Sequence, residues 1–192
     1  MMPLLVLASA SQRRLELLKQ IHVVPDKVVS ADIDETPLSK ESPKDCVKRL
    51  ATEKAKAVFA LHPHAVVLAA DTIIVFDNKI MGKPSSFDHA VSIWQQISGA
   101  EHKVLTAVSL ISAKGCETLL SESAVAFTQI PESQFQSYWL SQEPQDKAGA
   151  YAIQGFSAAW IKSINGSYSG IMGLPLCETA QLLQQHGIQV LP

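Results

Sequence analysis

Ala65-Val66-Val67-Leu68-Ala69-Ala70-Asp71-Thr72-Ile73-Ile74-Val75-Phe76 is apolar and β-branched along nearly its whole length. Such a run reads as a strand buried on both faces, at the centre of a sheet. Asp71 interrupts it. Aspartate is depleted in strands and is rarely buried without a partner. Two readings follow. Either the carboxylate serves chemistry and meets a cation or a metal, or the strand breaks there and Asp71 caps local backbone.

Outward from this run, helical and extended patterns alternate. Upstream, Leu4–Ala8 reads as a short buried strand, and Leu15, Leu18 and Ile21 mark a helix over Gln12–Ile21. Ser42-Pro43-Lys44-Asp45 has an N-cap serine, a first-turn proline and a first-turn acid, and predicts a helix to Leu61. Downstream, Asp77-Asn78-Lys79 makes a turn and a helix spans Phe87 to Ser98, stopping at Gly99. Lys103–Ser112 and Thr118–Thr128 pair through a Lys114-Gly115 turn. Pro131 opens a short helix to Leu140, and the Gln142–Gly149 loop leads to two short strands near Tyr151–Gln154 and Ala158–Ile164. Pro175 opens a last helix ending at His186-Gly187, and Ile188–Leu191 reads as a closing edge strand. Helices alternating with strands and hairpins give an α/β class, a mixed sheet covered by helices.

The chain has 192 residues, 47% of them hydrophobic, which predicts one sizeable domain over residues 1–192 with room for two lobes around a cleft. A net charge of −2 excludes a large non-specific nucleic-acid surface but not a locally basic site for a small anion. Cys46, Cys116 and Cys177 are odd in number and far apart, and read as reduced thiols packed as small hydrophobes. The Met1–Ala10 start lacks a basic segment and a long apolar stretch, and no run reaches a membrane span, so a cytoplasmic location is expected. Trp94, Trp139 and Trp160 are either core residues or part of a homodimer interface.

Several charges break the local pattern. In Ser9-Ala10-Ser11-Gln12-Arg13-Arg14, two arginines fall in the first turn of a helix, where the backbone already carries partial positive charge. They are solvated, or they converge with hydroxyls and free N–H groups on an anion. Lys54 lies on the apolar stripe of Val47, Leu50, Ala57 and Leu61, where a lysine snorkels, finds a carboxylate or faces a ligand. Lys83, before Pro84, is held in extended or loop backbone. Glu35 sits in an acidic loop, where a solvated charge is the usual case, and Asp146–Tyr151 and Gln154-Gly155 have the small residues of a backbone that approaches a ligand closely or, equally, of an ordinary tight loop. Glycine-rich dinucleotide and Walker loops and a nucleophile elbow are absent. Four cations (Arg13, Arg14, Lys54, Lys83) and two carboxylates (Glu35, Asp71) are what hydrolysis of a nucleoside triphosphate needs. Cations neutralise the phosphates, and carboxylates hold Mg²⁺ and orient or deprotonate water.

The chain also resembles the Maf (septum formation) proteins, a family of nucleoside triphosphate pyrophosphatases. The resemblance rests on Leu7–Arg14, Glu53-Lys54-Ala55, Ala70-Asp71-Thr72, Gly82-Lys83-Pro84, Asp146–Tyr151 and Gly173-Leu174-Pro175. Gln12 departs from it, standing where proline is common. The resemblance implies a three-layer α/β fold with an elongated cleft, related to the inosine-triphosphate pyrophosphatases. It implies cleavage between the α and β phosphates with Mg²⁺ or Mn²⁺. It makes Asp71 the proton acceptor and, with Glu35, a metal ligand. On the charge argument above, Arg13, Arg14, Lys54 and Lys83 hold the triphosphate and stabilise charge on the leaving pyrophosphate, Lys54 and Lys83 as catalytic groups, and Ser9 donates a hydrogen bond near the phosphates. Arg13, Thr72 and Gln154 match specificity positions, and Ile153-Gln154-Gly155 resembles the branch acting on dTTP and UTP. A glutamine amide both donates to and accepts from a pyrimidine edge. The same chemistry on 7-methyl-GTP or other modified nucleotides is the first alternative, and a nucleotide-binding regulator of cell division without turnover is the second.

Overall fold

The computed structural model describes residues 3–191, so Met1, Met2 and Pro192 of the expected 1–192 domain lie outside the described residues. The strand over 65–76 is observed as β3 (Val66–Phe76), and it runs unbroken through Asp71. Around it lie β1 (Leu5–Leu7), β2 (Lys27–Val28), β4 (Lys79–Met81), β5 (Glu101–Ser112), β6 (Gly115–Phe127) and β7 (Ile161–Asn165). The sheet order is β2-β1-β3-β5-β6-β7, with β4 paired to the far end of β3. β1 is parallel to β2 and β3, and the other pairings are antiparallel, so the sheet is mixed.

Alternation along β3 builds the layers. Val66, Leu68 and Ala70 face α1 (Gln12–Gln20) and α6 (Leu176–Gln185), packing with Leu17, Leu18, Leu182 and Leu183. Val67 and Ala69 face α2 (Pro43–Leu61), against Ala55 and Val58, and Ile73 and Val75 meet Val47 and Ala51 of the same helix. Beyond Thr72, Ile74 joins a third cluster built on α3 (Phe87–Ile97) and α4 (Phe135–Leu140), centred on Trp94. Helices thus cover both faces of the sheet.

Local chemistry sets the boundaries. Ser42 accepts from the Asp45 N–H (3.2 Å) with Pro43 in the first turn, as its sequence predicts, and Ser86 caps α3 through the His89 N–H. Asp77 and Asn78, both at positive φ, form the two-residue turn that folds β4 onto β3.

Some expectations fail. Tyr151–Gln154 forms no strand: Ala150 at φ 54° redirects the chain, Tyr151 is buried instead of pairing, and Ile153-Gln154 is a turn. Residues 156–160 form a 3₁₀ turn, so the following strand starts only at Ile161. Residues 188–191 form no strand; Ile188 closes the end of α6 by donating to Leu183 O. The short β2, β4 and α5 (Tyr168–Met172) have too few residues to show a period. Cys46 is buried, whereas Cys116 and Cys177 are exposed, so only one thiol acts as a core hydrophobe. Trp94 and Trp160 are core residues, and Trp139 is half-buried against Phe87. No described helix is long and apolar enough to cross a membrane.

Candidate active site

A cavity of about 530 Å³ opens where the β1–α1 loop, α2, the middle of β3 and the loops after β4 and α4 converge. At its centre Lys54, buried on α2, places Nζ 2.6 Å from Asp71 Oδ1 and 2.7 Å from Glu35 Oε1. Of the three fates open to this lysine, it takes the carboxylate one, twice over. Asp71 is 6% exposed, so its charge depends on that partner. Glu35 reaches in from the loop after β2 and is more than half exposed. Partial burial works to raise the Glu35 pKa. The hydrogen bond and charge of Lys54, with Lys83 and Arg14 behind them, outweigh it and hold the carboxyl below the ordinary value.

Arg14 joins four segments. Its Nε donates to Gly173 O (2.7 Å), Nη1 to Ser9 Oγ (3.3 Å) and Nη2, at the long distance of 3.5 Å, to Thr72 Oγ1. Burial lowers its pKa, and the negative charge of Asp71 opposes that shift. Ser9 Oγ also accepts from the Ser11 N–H (3.1 Å). Thr72 Oγ1 lies 3.0 Å from Thr106 Oγ1, which donates to Gly170 O at 2.7 Å. Arg13 and Lys83 line the cavity and, like Arg14, form no ion pair among the described residues. Gln154 lies exposed at the rim, in the turn that replaces the expected strand. All nine residues singled out in the sequence fall in or against this one cavity, Ser9 through its bond to Arg14.

Two features escape sequence reasoning. Lys147, ion-paired with its neighbour Asp146, adds a fifth cation to the wall; the loop is held by the Gly149 N–H donating to Gly82 O (3.0 Å), beside Lys83. Gly149 is at φ 69°, and a Cβ there would lie 2.5 Å from Ile74 Cδ1. The second is an apolar lining from Ile74, Val104, Tyr151, Ile171 and Met172. Lys147 lies in the Asp146–Tyr151 stretch that its small residues and the family resemblance both mark, but neither gives the lysine a role; the second comes from four separate segments.

Tyr151 is fixed from behind by His102, whose Nε2 lies 2.8 Å from the phenol oxygen. Burial pulls the His102 pKa from 6.5 down to about 4. Between those values the unfolded chain binds more protons than the folded one. Stability is therefore full above about pH 6.5 and falls as the pH drops towards 4, by about 3 kcal/mol for this group. Thermal midpoints measured from pH 7 to pH 4 are expected to trace that loss, and His102→Gln is expected to flatten it.

Asp71 and Glu35 are the hard oxygen donors that could hold Mg²⁺ or Mn²⁺, and both are here neutralised by the Lys54 ammonium. No cluster of three or more acidic, histidine or cysteine ligands exists among the described residues. Phosphate oxygens and water would complete the shell, as is usual for magnesium at nucleotide sites.

A protein-family model described as Maf-like protein matches residues 4–186. A dTTP/UTP pyrophosphatase of Hahella chejuensis is 46% identical over 189 residues, covering 97% of this chain and 94% of that protein. A dTTP/UTP pyrophosphatase of Pseudoalteromonas atlantica is 46% identical over 186 residues, covering 95% and 96%. Among solved structures, a HAM1 protein from Coxiella burnetii aligns over 94% of this chain and 98% of its own with a TM-score of 0.51 at 14% identity, a likeness of fold alone.

Proposed function

The chain belongs to the Maf family, and on that premise we propose that it hydrolyses dTTP and UTP to the nucleoside monophosphate and pyrophosphate. The observation that carries this reading is the pairing of a buried carboxylate, Asp71, with Glu35 on one lysine, in a cavity whose other cations, Lys147 apart, have no carboxylate partner among the described residues. The dTTP/UTP pyrophosphatase names of the relatives support the substrate class.

In the proposed reaction a water oxygen attacks the α phosphorus. The bond from that phosphorus to the oxygen bridging to the β phosphorus breaks, and pyrophosphate leaves with the electron pair. Asp71 takes the water proton on Oδ2, its Oδ1 being engaged by Lys54. Arg13, Arg14 and Lys83, with Lys147, bind the phosphate chain and stabilise charge on the leaving group. Arg14 is already oriented by three protein acceptors, so it meets the phosphates with little reorganisation. Asp71 and Glu35 would hold the divalent metal, which when bound neutralises phosphate charge and acts as a Lewis acid. Thr72 and Gln154 shape the sugar and base pocket, and the apolar wall around Tyr151 seats the pyrimidine.

Pyrophosphate release from dTTP, UTP, 7-methyl-GTP, ITP and ATP with Mg²⁺ tests this reading. Preferential release from dTTP and UTP is expected. Preference for 7-methyl-GTP would overturn the role given to Gln154. Binding without release from any nucleotide would place the protein among regulators.

A further inference from the structure

Glu35 lies on a segment with almost no support of its own. From Ser30 to Pro37 no backbone–backbone hydrogen bond forms among the described residues. The tie comes from Arg49 on α2. Arg49 donates from Nε to Glu41 Oε1 (2.7 Å) and from Nη2 to Glu41 Oε2 (2.9 Å), a two-pronged pair at the far end of the segment. Nη2 also donates to Thr36 O (3.2 Å), the carbonyl next to Glu35, and Nη1 reaches Glu53 Oε2 (3.1 Å). Exposed ion pairs seldom matter, but this one is bidentate, and the Arg49 and Glu41 side chains are only 19% and 9% exposed. α2 carries both Arg49 and Lys54, so one rigid helix fixes the backbone beside Glu35 and the ammonium that Glu35 meets.

We propose that Arg49 is a positioning residue: by clamping Glu41 and the Thr36 carbonyl to α2, it sets the place of Glu35 against Lys54 and Asp71. The consequence for turnover rests on the pyrophosphatase reading above; the consequence for the loop does not. The Arg49 hydrogen bonds hold the Glu41 carboxyl at a pKa of about 2, so the clamp stays closed at any pH near neutrality. Displacing a reacting group by about 1 Å is worth up to 10² in rate.

The test compares wild type with Arg49→Met, Arg49→Lys and Glu41→Gln by amide hydrogen exchange on the nucleotide-free protein and by dTTP turnover. Exchange at Leu38, whose N–H donates to the clamped Glu41 Oε2 (3.0 Å), is expected to rise about tenfold or more in Arg49→Met, with α2 and β3 unchanged. The kcat is expected to fall roughly 10- to 100-fold while KM moves little. Arg49→Lys keeps the charge without the fork and is expected to recover only part of both, and Glu41→Gln to show a weaker form of the same pair of effects. Unchanged exchange at Leu38 would overturn the clamp. Faster exchange throughout α2 and β3 would make Arg49 a general stability residue and overturn the assignment. Faster loop exchange with wild-type kcat would overturn the positioning of Glu35. Absence of turnover in the wild type would instead count against the pyrophosphatase reading, and the exchange data would still decide the clamp.

Discussion

Asp71→Asn is expected to lower kcat for dTTP by about 10²–10³, the usual cost of removing one group that acts on charge or a proton in the transition state. Asparagine keeps the shape and can still accept from Lys54 through its side-chain oxygen, so the fold is expected to survive. The proposed proton acceptor and one proposed anionic metal donor are lost. Pyrophosphate release at saturating nucleotide, with circular dichroism as the folding control, checks this; a fully active variant would remove Asp71 from the chemistry. The side-chain alternation of β3 sharpens the expectation. Asp71 faces α2, whereas the neighbouring Thr72 contacts Thr106 and Arg14, so neither residue is placed to replace the other.

Trp94→Ala is expected to cost about 3–5 kcal/mol of stability, the range for deleting a fully buried large aromatic side chain. Trp94 has no exposed surface, and its ring centroid lies 5.1 Å from that of Phe135 and 5.4 Å from that of Tyr138. Its indole N–H donates to Ala150 O at 2.7 Å, holding the residue whose positive φ turns the chain into the cavity wall. Since a domain is stable by only about 5–15 kcal/mol, urea titration is expected to show a large drop in midpoint. Trp94→Phe keeps most of the apolar area and loses the donor, so its smaller loss measures the hydrogen bond. Equal stability of Trp94→Ala and wild type would contradict the core assignment.

The sequence makes most of this fold legible where one element is long enough to show its period. β3, α2, α3 and the β5–β6 hairpin are of that kind, with their serine caps and turn residues. Asp71 and Lys54 stand out because each is a charge in an apolar pattern, and that is visible without coordinates. Their pairing was one option among several, because it requires α2 to lie across β3. Thr72 has no signal in composition or spacing and enters through family resemblance alone, and Gln154 has only the glycine beside it, which an ordinary tight loop would explain equally well. Arg49 is silent for another reason. On its helix it looks like any surface arginine, and its partners belong to a loop whose path no propensity fixes. Tyr151–Gln154 misleads because its apolar residues are buried by cavity and core rather than by a strand partner.

The cavity wall carries five cations, Arg13, Arg14, Lys54, Lys83 and Lys147, against three carboxylates, Glu35, Asp71 and Asp146, in a chain whose overall charge is −2. A positive hollow in an otherwise acidic molecule concentrates field lines at its mouth and repels anions elsewhere. The protein therefore gathers highly charged nucleotides by attraction over roughly a Debye length, about 8 Å at physiological ionic strength, before any contact forms. Capture becomes sensitive to salt while the chemical step inside the hollow does not. The same field favours a triphosphate over its monophosphate product, so the monophosphate competes poorly for re-entry.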